Sequence, residues 1–281
     1  NSNFVNLLHT LSIPGLTGWN AHDVLPNDHI CYCGKPGSQG DRSGNFATKN
    51  ADLIVVMGCR LNIRQISYNW KSFGSNAKIV MIDIDKSEIE KHTLNIDYKM
   101  HYSLESFLPI LLTKVKDWKV LDDHINYLKW CQNRVKKYPV VSNHHYKKNS
   151  PINPYAFFDQ LYKNSIPGDK IVVGNGSACV IGFQSAVIKE NVRLFTNSGC
   201  ASMGFDLPAA IGASLGCLNG KVICVAGDGS LMMNIQELAT VRHLKLPIKL
   251  FILDNDGYHS IRQTQTNYFP DNIAGTGSGD G

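Results

Sequence analysis

No apolar run of about 18 residues occurs anywhere in the 281-residue chain, so nothing in it reads as a membrane span, and no signal peptide is visible. Cysteine is sparse and scattered. Of the eight present, only Cys31 and Cys33 stand close together, which gives neither a disulfide framework nor a zinc-ligand spacing. Most of the thiols are expected to be reduced, buried and inert, which points to the cytoplasm. No block of one charge sign stands out either. The net charge is +5, but the cations are spread along the chain. The densest basic stretch, Lys136-Lys137 and Lys147-Lys148 around His144-His145, lacks the aromatic interleaving of a nucleic-acid surface and reads as a solvated linker. Neither nucleic acid nor membrane is expected as a partner. There is no internal repeat of fixed period.

The apolar residues, 43% of the chain, are enough for one large core or two ordinary ones. In the first half, "ADLIVVMGCRL" (51–61) and "AKIVMIDID" (77–85) have the continuous apolar character of parallel strands buried on both faces. Helical patterns such as "KSEIEKHTL" and "SLESFLPILLTKV" follow them. A polar, proline-containing stretch then reads as a linker. The second half runs "KIVVGNGS", "NVRLFTNSG", "MGFDLPAAIGASLG", "KVICVAGDGS" and "PIKLFILDNDG". Strand alternating with helix at this spacing predicts right-handed crossovers, and so an α/β chain of two doubly wound parallel-sheet domains. The expected boundaries are 1–130, a linker over 131–154, and 155–281. The chain opens on a helical pattern and ends in a loop, "GTGSGDG", so both domains are expected to be incomplete pieces of a longer protein.

In such sheets ligands sit outside the carboxyl ends of the strands. Asp228 follows the strand "KVICVA" and Asn255 follows "IKLFIL", so both reach one crevice if these strands are neighbours. A single helix, "LMMNIQELATVRHL", is expected to connect them, with Gly229 and Ser230 at its N-terminus. A carboxylate, an amide oxygen and a helix N-terminus describe a divalent cation bridging to a diphosphate. Magnesium takes hard oxygen ligands and shares phosphate oxygens with the protein. Asp228, the Asn255 side-chain oxygen and a carbonyl near Gly257 would supply the protein's share of that shell, and Gly227 and Gly229 would let the backbone approach the phosphates. Asp-Gly and Asn-Asp-Gly each read as a turn when met alone. Two of them, each ending a buried strand and separated by one helix, point to cation and diphosphate.

These residues resemble the thiamine-diphosphate-dependent enzymes, and within them the acetolactate-synthase-like group. The family's Gly-Asp-Gly followed at this distance by an Asn pair stands here as Gly227-Asp228-Gly229-Ser230 and Asp254-Asn255, the first Asn being an Asp. "MNIQELATVRHLKLPIKLFILDN" and "SMGFDLPAAIGASLG" are similar to that group throughout. The resemblance implies thiamine diphosphate and Mg²⁺ as cofactors. It implies that Met203 wedges under the bent cofactor and that the Ala201 carbonyl accepts from the aminopyrimidine. It also implies that the loop of Gly176 and Ser177 touches the far side of the diphosphate. The first half resembles the group's Rossmann-like central domain. In flavin-binding members two arginines and an acid there hold FAD; the matching residues are Arg60, Arg64 and Asp83, with Gln39 and Gly40 in the loop near the flavin. Interdomain salt bridges are the alternative reading of the arginines.

The resemblance further implies an enzyme that decarboxylates a 2-keto acid such as pyruvate, passes the two-carbon unit to a carbonyl acceptor, and works as a homodimer or homotetramer. The family's activating glutamate belongs to an N-terminal domain that no segment here matches, so no catalytic residue is assigned and the chain by itself is expected to be inactive. Glu88 and Glu237 read as solvated or capping. Acetolactate synthases carry Trp where Thr264 stands and Met where Ser260 stands, so a bigger, polar acceptor such as a keto-sugar is expected. His259, beside them, reads either as a proton relay or as a surface residue. A decarboxylase or hydrolase on the same scaffold, or a non-catalytic cofactor-binding piece, are the alternatives.

Overall fold

The computed structural model of the chain describes residues 2–147, 151–216 and 220–279. The chain divides into two compact units, Asn1–Val140 and Val141–Gly281.

The first unit holds three parallel strands in the order β1 (Leu53–Met57), β2 (Lys78–Asp83) and β3 (Tyr98–His101). Among the described residues six α-helices accompany them: α1 (Ser2–Leu11), α2 (Arg42–Asn50), α3 (Ile63–Ile66), α4 (Lys86–Glu90), α5 (Leu104–Val115) and α6 (Asp122–Lys137). The strand order runs in one direction here, so the reversal that defines double winding is absent among the described strands of this unit. β3 was not legible in the sequence because "YKMH" has no apolar run; it is a short edge strand, mostly exposed. β1 is the other edge. It leaves Leu53 and Val55 exposed, where the sequence pattern suggested cover on both faces. Val56, Ile79, Met81 and Ile89 form the core around this sheet. Cys33, Cys131, Leu8 and Leu25 form a second cluster.

The polar stretch 131–154 begins inside α6. Asp122 and Asp123 in its first turn, and Arg134, Lys136 and Lys137 in its last, match the helix dipole and carry the helix to Lys137. The division between the units follows at Val140, then a 3-10 turn at Asn143–Tyr146; residues 148–150 of the expected linker lie outside the described residues.

The second unit is built on four parallel strands, β4 (Lys170–Val173), β5 (Arg193–Thr196), β6 (Val222–Gly227) and β7 (Ile248–Leu253), in the order β5-β4-β6-β7. The helices are α7 (Pro154–Lys163), α8 (Gly176–Gln184), α9 (Asp206–Leu215), α10 (Asp228–Met232), α11 (Glu237–His243) and α12 (His259–Tyr268). Strand alternation sorts the core onto both faces. Ile171, Val173 and Val225 pack with Phe158 and Tyr162 on one side. Val172, Val222 and Cys224 pack with Ala210 on the other. Each such fully buried large side chain contributes roughly 1.5–3 kcal/mol. The chain steps from β4 outward to β5, then returns to β6 on β4's other side. That reversal makes the loops after β4 and β6 diverge, and a crevice opens between them at the carboxyl edge.

The expected single helix after Asp228 is two short ones. Met233–Gln236 form turns between α10 and α11, because Asn234 turns its side chain to the Gly204 carbonyl at 2.7 Å.

Candidate functional site

β6 and β7 are neighbours, with Gly227 opposite Leu253 as their last pair. The chain therefore leaves both strands at one edge, and Asp228 meets the turn that carries Asn255. Asp228 Oδ2 accepts the backbone N–H of Gly257 at 2.7 Å and that of Asn255 at 3.3 Å. These bonds fix the turn against the start of α10. They also leave Asp228 Oδ1 and Asn255 Oδ1 buried with no hydrogen-bond partner. A buried polar atom left unmatched costs ~1–3 kcal/mol, more when charged, and native structures keep such atoms for a reason. A carboxylate oxygen and an amide oxygen at one turn are the hard donors that magnesium takes. The residues present fit that ion.

Gly257 has φ +101°, a conformation L side chains rarely adopt, and a Cβ there would meet the Thr276 carbonyl at 2.5 Å. Its own carbonyl accepts the His259 N–H at 3.2 Å, which leaves its second lone pair for another partner. The segment around buried Thr276 folds back over the turn: Tyr258 N–H donates to the Thr276 carbonyl at 2.9 Å, and the Arg262 guanidinium does so at 2.8 Å. Gly229 lacks a side chain for a local reason, since a Cβ would fall 2.7 Å from the Tyr258 ring. Beside Gly227 the space is open.

Ala201 holds φ +54°, in the left-handed region that costs a non-glycine residue about 1–2 kcal/mol. The strain sits at the loop that leads into Met203. Met203 is half-buried, and the next residue, Gly204, is held at both backbone groups. Ser230 Oγ accepts its N–H at 2.9 Å, and Asn234 Nδ2 donates to its carbonyl at 2.7 Å. Ser230 is buried and its hydroxyl donates to Asp206 Oδ2 at 2.6 Å, so only its backbone is left to face a ligand. Gly176, at φ +54°, opens α8 beside Ser177, and a Cβ there would lie 3.6 Å from Ser260 Oγ. That places the start of α12 across from the β4–α8 loop. Thr264, exposed on α12, turns its hydroxyl to the Ser260 carbonyl at 3.1 Å. His259 is exposed.

Asp206 and Asn234 were missed in the sequence. Their signal was present: an Asp within the apolar run "MGFDLPAAIG" must be either exposed or matched, and here it is fully buried. Burial pushes its carboxyl pKa up, against the pull of the Ser230 hydrogen bond.

In the first unit, Arg60 and Asp83 share a hollow of about 460 Å³ at the ends of β1 and β2. Arg60 Nε donates to Glu88 at 2.7 Å, and Lys91 joins the same carboxylate at 2.9 Å. Glu88 is therefore an ion-pair centre rather than a solvated residue, and its pKa is lowered by those partners against its desolvation. Asp83 is buried and accepts the Asp85 N–H at 2.9 Å. Arg64 stands with Gln39, donating to it at 2.9 Å, over the Trp19 ring. The three FAD candidates are thus engaged internally. The hollow carries Asp83, Asp85, Glu88 and Glu105 against Arg60, with Lys91 on the Glu88 carboxylate. Such a rim repels a diphosphate, and the fit to flavin is poor.

Two family models match the chain. The central domain of thiamine pyrophosphate enzymes matches residues 1–111, and their C-terminal TPP binding domain matches residues 174–280. The acetolactate synthase isozyme 2 large subunit of Escherichia coli (strain K12) is 30% identical over 253 residues, 89% of this chain and 43% of that protein. The acetolactate synthase large subunit of Cyanidium caldarium is 28% identical over 277 residues, 97% of this chain and 45% of that protein. The chain spans less than half the length of these curated relatives. It belongs to the thiamine pyrophosphate enzymes, of which it carries the central and the C-terminal cofactor-binding domains.

Proposed function

We propose that the protein decarboxylates a 2-keto acid such as pyruvate and transfers the two-carbon unit to a carbonyl acceptor, with thiamine diphosphate and Mg²⁺ as cofactors. The observation that carries this is the pair of buried, unpartnered oxygens on Asp228 and Asn255 at the turn after β6 and β7. These two would bind the metal, with the Gly257 carbonyl as third ligand. The backbone of Gly227, Gly229 and Ser230, and that of Gly176 and Ser177 across the crevice, would receive the diphosphate. Met203 would support the cofactor from below and the Ala201 carbonyl would take a hydrogen bond from its aminopyrimidine. When bound, the cofactor supplies the nucleophilic carbon and the electron sink that decarboxylation needs.

The chain's own share of the chemistry is to bind, bend and shield. The glutamate that activates the aminopyrimidine is not assigned to any residue of this chain, so a second surface must meet the crevice, as in a homodimer or homotetramer. Ser260 and Thr264 favour an acceptor with hydroxyl groups over a small apolar one, because a site that pairs such groups rejects analogues lacking them.

Calorimetric titration with thiamine diphosphate in Mg²⁺ tests the reading. Binding heat in the protein and its loss in Asp228→Ala are expected, whereas unchanged affinity in the variant would overturn the assignment. Pyruvate consumption that depends on an added keto-sugar would mark the transfer. Free acetaldehyde with no dependence on acceptor would favour a simple decarboxylase.

A further inference from the structure

We propose that Asp206 is a positioning residue that locks three cofactor-facing segments together and sets the place of Met203 relative to the metal turn. The inference rests on the cofactor reading above. Asp206 opens α9, three residues after Met203, and its carboxylate is fully buried. Its Oδ2 accepts from Ser230 Oγ at 2.6 Å, and its Oδ1 from the Leu207 N–H at 3.1 Å. Ser230 stands two residues beyond Asp228, so this contact ties α9 to the strand end that carries the metal ligand. The Ser230 oxygen is then oriented to accept the Gly204 N–H at 2.9 Å, which fixes the residue next to Met203. Gly174, where the loop after β4 begins, presses on the same carboxylate: a Cβ there would lie 2.0 Å from Oδ2.

One buried acid thus meets the β4 loop, the Met203 turn and α10. A carboxylate suits this place better than an amide, because it accepts from both donors without offering an N–H that would need a partner of its own. Burying it is expensive, and the expense is explained if the three loops must keep a fixed spacing to hold a bent cofactor. Asp206 touches no reacting atom in this scheme. It acts through Ser230 and Gly204.

The test compares two probes on the protein at its natural length: Mg²⁺ with thiamine diphosphate, which uses the metal turn, the diphosphate-facing backbone and the Met203 turn, and Mg²⁺ with inorganic pyrophosphate, which uses the first two and not the Met203 turn. In Asp206→Ala and Ser230→Ala, affinity for thiamine diphosphate is expected to fall by roughly ten- to a hundredfold, the loss of one charge-assisted hydrogen bond. In Asp206→Ala, affinity for Mg²⁺–pyrophosphate should fall by clearly less than affinity for thiamine diphosphate. Asp206→Asn, whose amide oxygen can still accept from Ser230, should recover part of the loss while circular dichroism shows it folded. Equal weakening of both probes in folded variants would show a merely structural role and overturn the proposal. So would full thiamine diphosphate affinity in Asp206→Ala. If the unaltered protein binds neither probe, the cofactor reading itself fails, and the inference falls with it.

Discussion

Asp228 and Asn255 stand 27 residues apart in the chain, joined where the Asn255 backbone N–H meets one Asp228 carboxylate oxygen at 3.3 Å. Asp228 keeps its other carboxylate oxygen, and Asn255 its one side-chain oxygen, buried and unpartnered. A cation bound between them, as proposed, would relieve the cost of these two desolvated acceptors.

Asn255→Ala removes one of those orphan oxygens. In metal-free protein it should be as stable as the parent or more so, by up to ~1–3 kcal/mol. Mg²⁺ with thiamine diphosphate should raise the unfolding midpoint of the parent and leave that of the variant unmoved, since a ligand stabilises only the state it binds. Thermal unfolding with and without the two additives reads both effects.

Ala201 holds a positive φ that glycine would adopt without strain. Ala201→Gly should keep stability within ~1 kcal/mol or raise it, because relief of strain offsets the freer unfolded chain. Ala201→Val, β-branched at the same φ, should cost ~1–3 kcal/mol. Chemical denaturation of both variants checks the ordering; a valine variant as stable as the parent would show that the loop relaxes freely.

Lys35 is buried, and burial lowers its pKa from 10.5 to about 8 against the pull of nearby Asp41. The unfolded chain therefore binds more protons than the folded one between these two values, and stability should rise with pH across that window. Below about pH 8 the full penalty is present, up to ~3 kcal/mol. Lys35→Met should flatten the slope and raise the midpoint at neutral pH. Asp41 keeps the N–H groups of Lys35 and Gly44 and the Ser43 hydroxyl, so its own bonds survive. Urea denaturation of both proteins at a series of pH values measures the difference.

The acid-rich hollow around Arg60 and Asp83 is expected to leave the protein free of flavin. Purified protein should be colourless, and added FAD should keep its free fluorescence. A yellow protein whose flavin absorbance is lost in Arg64→Ala would reverse this and make Arg60, Arg64 and Asp83 flavin ligands.

The sequence by itself determined the α/β class, six of the seven strands among the described residues and the two turns that carry Asp228 and Asn255. Those features are local: an apolar run marks a strand, although β1 and β7 leave part of theirs exposed, and an Asp-Gly or Asn-Asp-Gly step marks the turn that ends it. Only the tertiary structure decided what those turns could do. That β6 and β7 are neighbours, and that β4 lies between β5 and β6, depends on strand order, which no local pattern encodes. The same holds for Asp206. Its place in the sequence looks like a polar interruption in an apolar helix, and its meaning comes from Ser230, 24 residues on, and from Gly174, 32 residues back. Arg60 and Glu88 make the converse case. The family resemblance made Arg60 either a flavin ligand or a salt-bridge partner, the helical pattern made Glu88 solvated or capping, and the fold paired them with each other. A buried or half-buried charge takes whichever partner the fold brings within reach, so its role is settled by packing and not by spacing.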